Sequence, residues 1–316
     1  MARWRHRHLL DVDGLSREEL VTALDMAREM AAARAARMVQ ARLAGRIIAT
    51  VFAEASTRTR ISFEIAAHAL GGETAALDPV SSSLSKGESL IDTMRTLQAL
   101  GVSIVVLRHP RSGAAHLAAA HFDGHVVNAG DGWHAHPTQA LLDLFTLREH
   151  LGPNGLAGAK VCIVGDVLHS RVARSNIWAL TTMGVDVWIT GPAEFLRGFD
   201  RWAAAMPGER RLTVTGDLTE GIHGAAAVMA LRVQRERLVG GDAPTEAAYA
   251  ATWGLTEERL AAACPEAIVM HPGPVNEGVE LPPDVVAGPR SVITRQVANG
   301  VAMRMAVLAL VASTDD

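Results

Sequence analysis

Four short segments of the chain gather groups able to hold an anion. Ser56-Thr57-Arg58-Thr59-Arg60 places three hydroxyls and two guanidiniums within five residues, where a strand-like run gives way to a helix-like one. Free N–H groups and positive partial charge at a helix N-terminus would complete a phosphate cradle there. Arg108-His109-Pro110 closes another strand-like run, and Arg108 can hydrogen-bond a carbonyl or phosphate oxygen. His136 and Gln139, in HPTQ, lie three apart on a helix and so share one face. In LRVQRERL (231–238), Arg232 and Gln234 combine a bidentate cation with a neutral donor, a set suited to a carboxylate. Each segment taken alone has a plainer reading: a solvated basic turn at 56–60, a helix cap at His136, an exposed charged turn at 231–238.

The elements that must position these residues are legible from periodicity. IIATVF (47–52), VSIVVLR (102–108), HVVNAG (125–130), KVCIVGDV (160–167), DVWITG (186–191), AAVMAL (226–231) and AIVMHPG (267–273) are short apolar runs with helix-like stretches between them, the pattern of parallel α/β layers. Ser16 with Glu19 is a capping-box pair, and one or two helices are expected from about 17 to 44. HPTQALLDLFTLREHL (136–151) has helical spacing and stops at Gly152-Pro153, which makes it the candidate connection between two domains. A last helix is expected over 291–312. Ligands of open parallel sheets bind beyond the carboxyl ends of the strands. STRTR, RHP, HSR and HPGP all stand at such ends, which makes them candidates for one cleft. GDVLHSRVARSN (165–176) holds one glycine, so it lacks the G-x-G-x-x-G of a dinucleotide site.

Bulk properties narrow the field. The 316 residues favour two domains, and 49% apolar with 20% charged residues can bury sizeable cores. A net charge of −4 argues against a general nucleic-acid or anionic-membrane surface, so any anion site must be local. The two cysteines, Cys162 in a strand-like run and Cys264 in a helix-like one, form neither a disulfide framework nor a CxxC site. We expect a soluble, unprocessed, cytoplasmic protein, because MARWRHRHLLDVDG lacks a signal-like apolar stretch and no run of 18 apolar residues occurs. The 13 histidines are scattered, and no metal or cofactor is expected.

STRTR preceded by Phe52 and Glu54, followed in order by RHP and HPTQALLD, resembles the carbamoyl-phosphate fingerprint of the aspartate and ornithine carbamoyltransferases. The resemblance spans about residues 50 to 300. It implies an α/β chain of two doubly wound parallel-sheet domains, a carbamoyl-phosphate domain (1–137, with the terminal helix 292–316 packing back on it) and an aspartate domain (138–291). It implies that Ser56, Thr57, Arg58, Thr59, Arg108, His136, Gln139, Ser82, Gly273 and Pro274 hold carbamoyl phosphate, and that Lys86, Arg171, Arg232 and Gln234 hold aspartate. Arg58, Thr59, Arg108, His136 and Lys86 are the candidate catalytic residues. By the same resemblance, SSSLSKGES (81–89) carries Ser82 and Lys86 into the site of a neighbouring subunit, so a homotrimer with shared sites is expected, with regulatory chains or other pyrimidine-pathway enzymes as possible partners. RVQ-x-ER and HPGP favour aspartate, since ornithine-type relatives carry His-Cys-Leu-Pro at the second position. Asn276-Glu277-Gly278 departs from the N-R-G of relatives and places a negative charge beside an anion site. Two other readings stay open at this point: a carbamoyltransferase for another amine, and a non-catalytic homologue acting as a scaffold.

Overall fold

The apolar runs pair as two separate parallel sheets. In this computed structural model, which describes residues 4–38, 40–77, 87–234 and 244–315, contacts divide the chain into two units, 1–145 with 297–316, and 146–296. The divisions fall inside two helices, α5 (Pro137–Leu151) and α12 (Ile293–Ala312).

The first unit holds β1 (Ile47–Phe52), β2 (Glu73–Leu77), β3 (Ile104–His109) and β4 (His125–Asp131) in the order β2-β1-β3-β4, every neighbouring pair parallel. β4 is buried at all of its positions and β1 at all but its first. Sheets covered on both faces require such continuous apolar runs. β2 is the exception. It lies at the sheet edge and is mostly exposed, so ETAAL carries no apolar run, and the sequence reading did not anticipate it. Around the sheet lie α1 (Arg17–Ala35), α2 (Thr57–Ala69), α3 (Leu90–Ala99) and α4 (Ala114–Ala119). The Ser16–Glu19 capping box forms in full, and α1 ends at Ala35, short of the expected 44.

The second unit holds β5 (Lys160–Val164), β6 (Asp186–Thr190), β7 (Arg211–Thr215), β8 (Ala227–Ala230) and β9 (Ile268–Met270) in the order β7-β6-β5-β8-β9, again all parallel. Its helices are α6 (Arg171–Thr182), α7 (Phe199–Ala204), α8 (Leu218–Ile222), α9 (Glu246–Trp253), α10 (Glu257–Leu260) and α11 (Pro283–Val286). β7, like β2, is an edge strand that periodicity missed. Cys264 corrects a second expectation: it lies in the turn after α10, where its thiol donates to Gly224 O at 3.1 Å.

In each sheet the strand order reverses once. The chain leaves β1 for β2 on one side and returns to β3 on the other, and it leaves β5 toward β6 and β7 and returns to β8. Loops that diverge at such a point open a crevice at the carboxyl ends of the two central strands. At those ends stand STRTR, after β1, and Arg108, in the last two residues of β3, in the first unit, and HSR and LRVQ in the second.

The C-terminal helix packs on the first unit: Arg304 lies over the Phe63 ring of α2 at 5.2 Å, and Arg46 bridges to Asp315 at 2.6 Å. By length and composition this helix could cross a membrane, but 78% of its apolar window is buried, as in a core helix.

Candidate active site

In the first unit, α2 begins one residue after its N-cap Ser56, whose side chain makes no cap bond. The first turn contains no acidic residue, in contrast to Glu18 and Glu19 at the start of α1, so nothing acidic in that turn offsets the positive end of the helix. Thr57 and Arg58 are exposed at this end, Ser56 is half-buried and Thr59 is buried. Beside it, β3 sets Arg108 opposite Phe52 of β1. A register shift against β4 between Leu107 and His109 bends the ladder at this residue, and Arg108 Nη1 reaches Ala129 O at 3.4 Å. Glu54, in the loop before α2, receives Arg108 Nη2 at 2.6 Å and fixes the guanidinium. His136 precedes α5, and its carbonyl accepts from Gln139 and Ala140 at 3.0 and 3.2 Å. Both His136 and Gln139 are buried, at 4% and 7% exposure. The Gln139 amide Nε2 donates to Asp143 Oδ1 at 2.9 Å.

In the second unit, Asp166 follows β5 and is wholly buried. Its Oδ1 accepts from His169 Nδ1 at 2.8 Å and from His169 N at 3.2 Å; its Oδ2 accepts from Gln234 N at 3.1 Å. One carboxylate therefore ties together the loops leaving β5 and β8, across the strand-order reversal. Arg171 opens α6, is 5% exposed, and follows the N-cap Ser170, whose side chain accepts from Ala173 N at 3.1 Å. Arg174 donates to Leu168 O at 3.3 Å and lies over Phe199, and burial lowers its pKa. Arg232 and Gln234 are half-buried on the segment after β8.

After β9, His271 is buried with Nε2 3.3 Å from Glu280 Oε1, while its Nδ1 accepts from Gly273 N at 2.8 Å. An Nδ1 that accepts leaves the ring proton on Nε2, facing the carboxylate. The Gly273–Pro274 bond is cis and Gly273 has φ 70°, a backbone that glycine adopts without a Cβ clash.

Two family models match the chain: aspartate/ornithine carbamoyltransferase, carbamoyl-P binding domain, over residues 7–149, and aspartate/ornithine carbamoyltransferase, Asp/Orn binding domain, over residues 157–311. The chain belongs to the aspartate/ornithine carbamoyltransferase family. It is 51% identical over 308 residues to the aspartate carbamoyltransferase catalytic subunit of Roseiflexus sp. (strain RS-1), covering 97% of this chain and 95% of that one. It is 49% identical over 311 residues to the corresponding subunit of Sorangium cellulosum, covering 98% and 94%. Among solved structures it matches the aspartate transcarbamoylase of Trypanosoma cruzi in complex with carbamoyl aspartate and phosphate at TM-score 0.84 and 30% identity, covering 97% and 96% of the two chains. The same enzyme in complex with N-(phosphonacetyl)-L-aspartic acid matches at TM-score 0.83.

Within this family frame, Ser56, Thr57, Arg58, Thr59, Arg108, His136 and Gln139 all belong to the first unit: the first five stand at the reversal between β1 and β3, and His136 and Gln139 at the start of α5, after the neighbouring strand β4. Arg171, Arg232 and Gln234 flank the reversal between β5 and β8, and Gly273-Pro274 follow the neighbouring strand β9. Ser82 and Lys86 lie outside the described residues. Glu277 is exposed in the turn after the cis bond. The sequence reading assigned no role to Glu54, Asp143, Asp166 or Glu280. An isolated acid leaves no periodic signal, and only the contacts each makes in the fold reveal these four.

Proposed function

We infer that the chain transfers the carbamoyl group of carbamoyl phosphate to the amino group of L-aspartate, giving N-carbamoyl-L-aspartate and phosphate, an early step of de novo pyrimidine biosynthesis. One observation carries this reading: a chain half identical to aspartate carbamoyltransferase catalytic subunits presents its cationic and donor groups at the strand-order reversals of both parallel sheets.

In the first unit, the open N-terminus of α2 with Ser56, Thr57, Arg58 and Thr59 takes the phosphate. Arg108, His136 and Thr59 donate to the carbonyl oxygen, and Gln139 binds the amino group of the same carbamoyl. In the second unit, Arg171 and Arg232 hold the two carboxylates of aspartate, Gln234 adds a neutral donor, and Gly273-Pro274 supply backbone contacts to the carbamoyl side. As the aspartate nitrogen bonds to the carbamoyl carbon, the C–O bond to phosphate breaks and charge passes through the carbonyl oxygen to the leaving group. The amine proton leaves with the phosphate, so no side chain has to act as general base. Donors already fixed by Glu54 and α5 stabilise that oxyanion without reorganising, and each such donor is worth about 10²–10³ in turnover.

The finer parts of the reading are a homotrimer, with Ser82 and Lys86 of a neighbouring chain completing each site, and a cytoplasmic setting consistent with two free thiols. The test is purified protein supplied with carbamoyl phosphate and either aspartate or ornithine, with solution mass measured on the same sample. Carbamoyl-aspartate formed by a trimer, without carbamoyl-ornithine, is the expected outcome. A folded trimer that makes no carbamoyl-aspartate would instead be the non-catalytic homologue.

A further inference from the structure

We propose that Asp143 and Arg304 are positioning residues which set the end of the Gln139 amide that faces the carbamoyl group. The inference rests on the assignment of Gln139 to carbamoyl phosphate.

Gln139 Nε2 donates to Asp143 Oδ1 at 2.9 Å, one helical turn along α5. A carboxylate only accepts hydrogen bonds, so it selects the NH2 end of the amide and leaves Oε1 to face a ligand. An oxygen there accepts an N–H, and the carbamoyl group of the substrate carries an NH2. A turned amide would present hydrogens to hydrogens and lose that contact.

Asp143 is wholly buried, and a buried carboxylate needs a compensating charge. Arg304 of α12 supplies it: the guanidinium is buried, attracted to Asp143 and repelled by Arg108, and it lies over Phe63 at 5.2 Å. Burial lowers its pKa to about 10, which leaves it charged at neutral pH. The helix makes room for it. A Cβ on Gly300 would stand 2.4 Å from Arg304 Nη1 and 3.3 Å from Leu142 Cδ2, so glycine persists in mid-helix where most residues would favour the helix more. Arg304 thus stands between Phe63 of α2 and the charge of Asp143 on α5, and Asp143 in turn holds the Gln139 amide.

A purely structural ion pair would stabilise the fold without reading the ligand, and two isosteric probes separate the cases. Phosphonoacetamide keeps the amino group of carbamoyl phosphate, and acetonylphosphonate puts a methyl in its place. Calorimetric titration of the full chain should show the wild type preferring the amide by about tenfold or more, since a site built to hydrogen-bond a group rejects its apolar mimic. Asp143→Asn offers Gln139 a donor as well as an acceptor. The preference should then fall to about threefold or less, while affinity for acetonylphosphonate stays within about twofold. Arg304→Lys keeps the charge but not the fork, and it should lose a smaller part of the preference; this milder variant carries the test if Asp143→Asn does not fold. In a Gln139→Ala background, neither change should alter the preference further. Wild-type preference retained in both variants, or an undiminished loss without Gln139, overturns the inference. Equal affinities in the wild type overturn the assignment of Gln139 itself, and the inference with it.

Discussion

Arg58 is the residue whose loss isolates chemistry from folding. It is exposed at the start of α2 and no fold contact depends on its burial. Arg58→Ala should lower kcat by about 10³ or more while the thermal midpoint stays within about 2 °C, read by steady-state assay and calorimetry on one preparation. The cysteines make a second test at this scale. Burial pushes the Cys162 thiol up to about 12, whereas Cys264 is only half-buried. Since the thiolate is the reactive form, iodoacetamide should add once to the native protein, at Cys264, and twice in denaturant, as read by mass spectrometry.

Single elements carry their own predictions. The capping box of α1 joins Ser16 Oγ to Glu19 N at 3.2 Å and Glu19 Oε2 to Ser16 N at 2.9 Å. Ser16→Ala should cost about 1 kcal/mol and lower the melting point by about 2–4 °C with kcat unchanged. The turn after β4 responds to pH. There His134 lies between Asp131 Oδ1 at 3.1 Å and Asp11 Oδ2 at 3.3 Å. The hydrogen bond that His134 donates to Asp131 raises the His134 pKa above 6.5, so its stabilisation is complete below that value and disappears as pH rises through the folded pKa. Burial raises Asp11 to about 6, which also weakens the fold as pH rises from 3.8 to about 6. Burial pushes Asp131 up as well, but hydrogen bonds from His134 and Asn128 outweigh it and hold that carboxyl below its ordinary value. The melting temperature should therefore fall as pH rises above about 6.5 in the wild type, and the fall should flatten in His134→Gln.

For the whole molecule, the proposed sharing of sites between chains predicts complementation. Lys86→Ala and Arg58→Ala chains, each inactive alone, should regain about a quarter of wild-type activity when mixed and reassembled, because half of the chains supply each intact residue at random. An inactive mixture of reassembled trimers would place Lys86 and Arg58 in the same chain's site. The strand-order reversals make the same point within one chain. Candidate residues far apart in sequence meet at two places because each parallel sheet has one reversal, and the loops diverge only there.

The sequence by itself determined the central strands and the parallel α/β class, and it singled out the candidate anion-binding residues. Those strands are buried on both faces and must read as apolar runs, and the site residues are polar types standing where such runs end. The edge strands Glu73–Leu77 and Arg211–Thr215 were not legible, because a half-solvated edge needs no apolar run. Nor was the Cys264 turn. Only the tertiary structure buried Asp143 of α5 and Arg304 of α12, with the charge of one acting on the other, and decided that Asp166 ties the loops after β5 and β8. The sequence reading assigned no role to Asp143 or to Arg304. A buried charge acquires meaning only through the partner the fold brings to it, which neither period nor composition records.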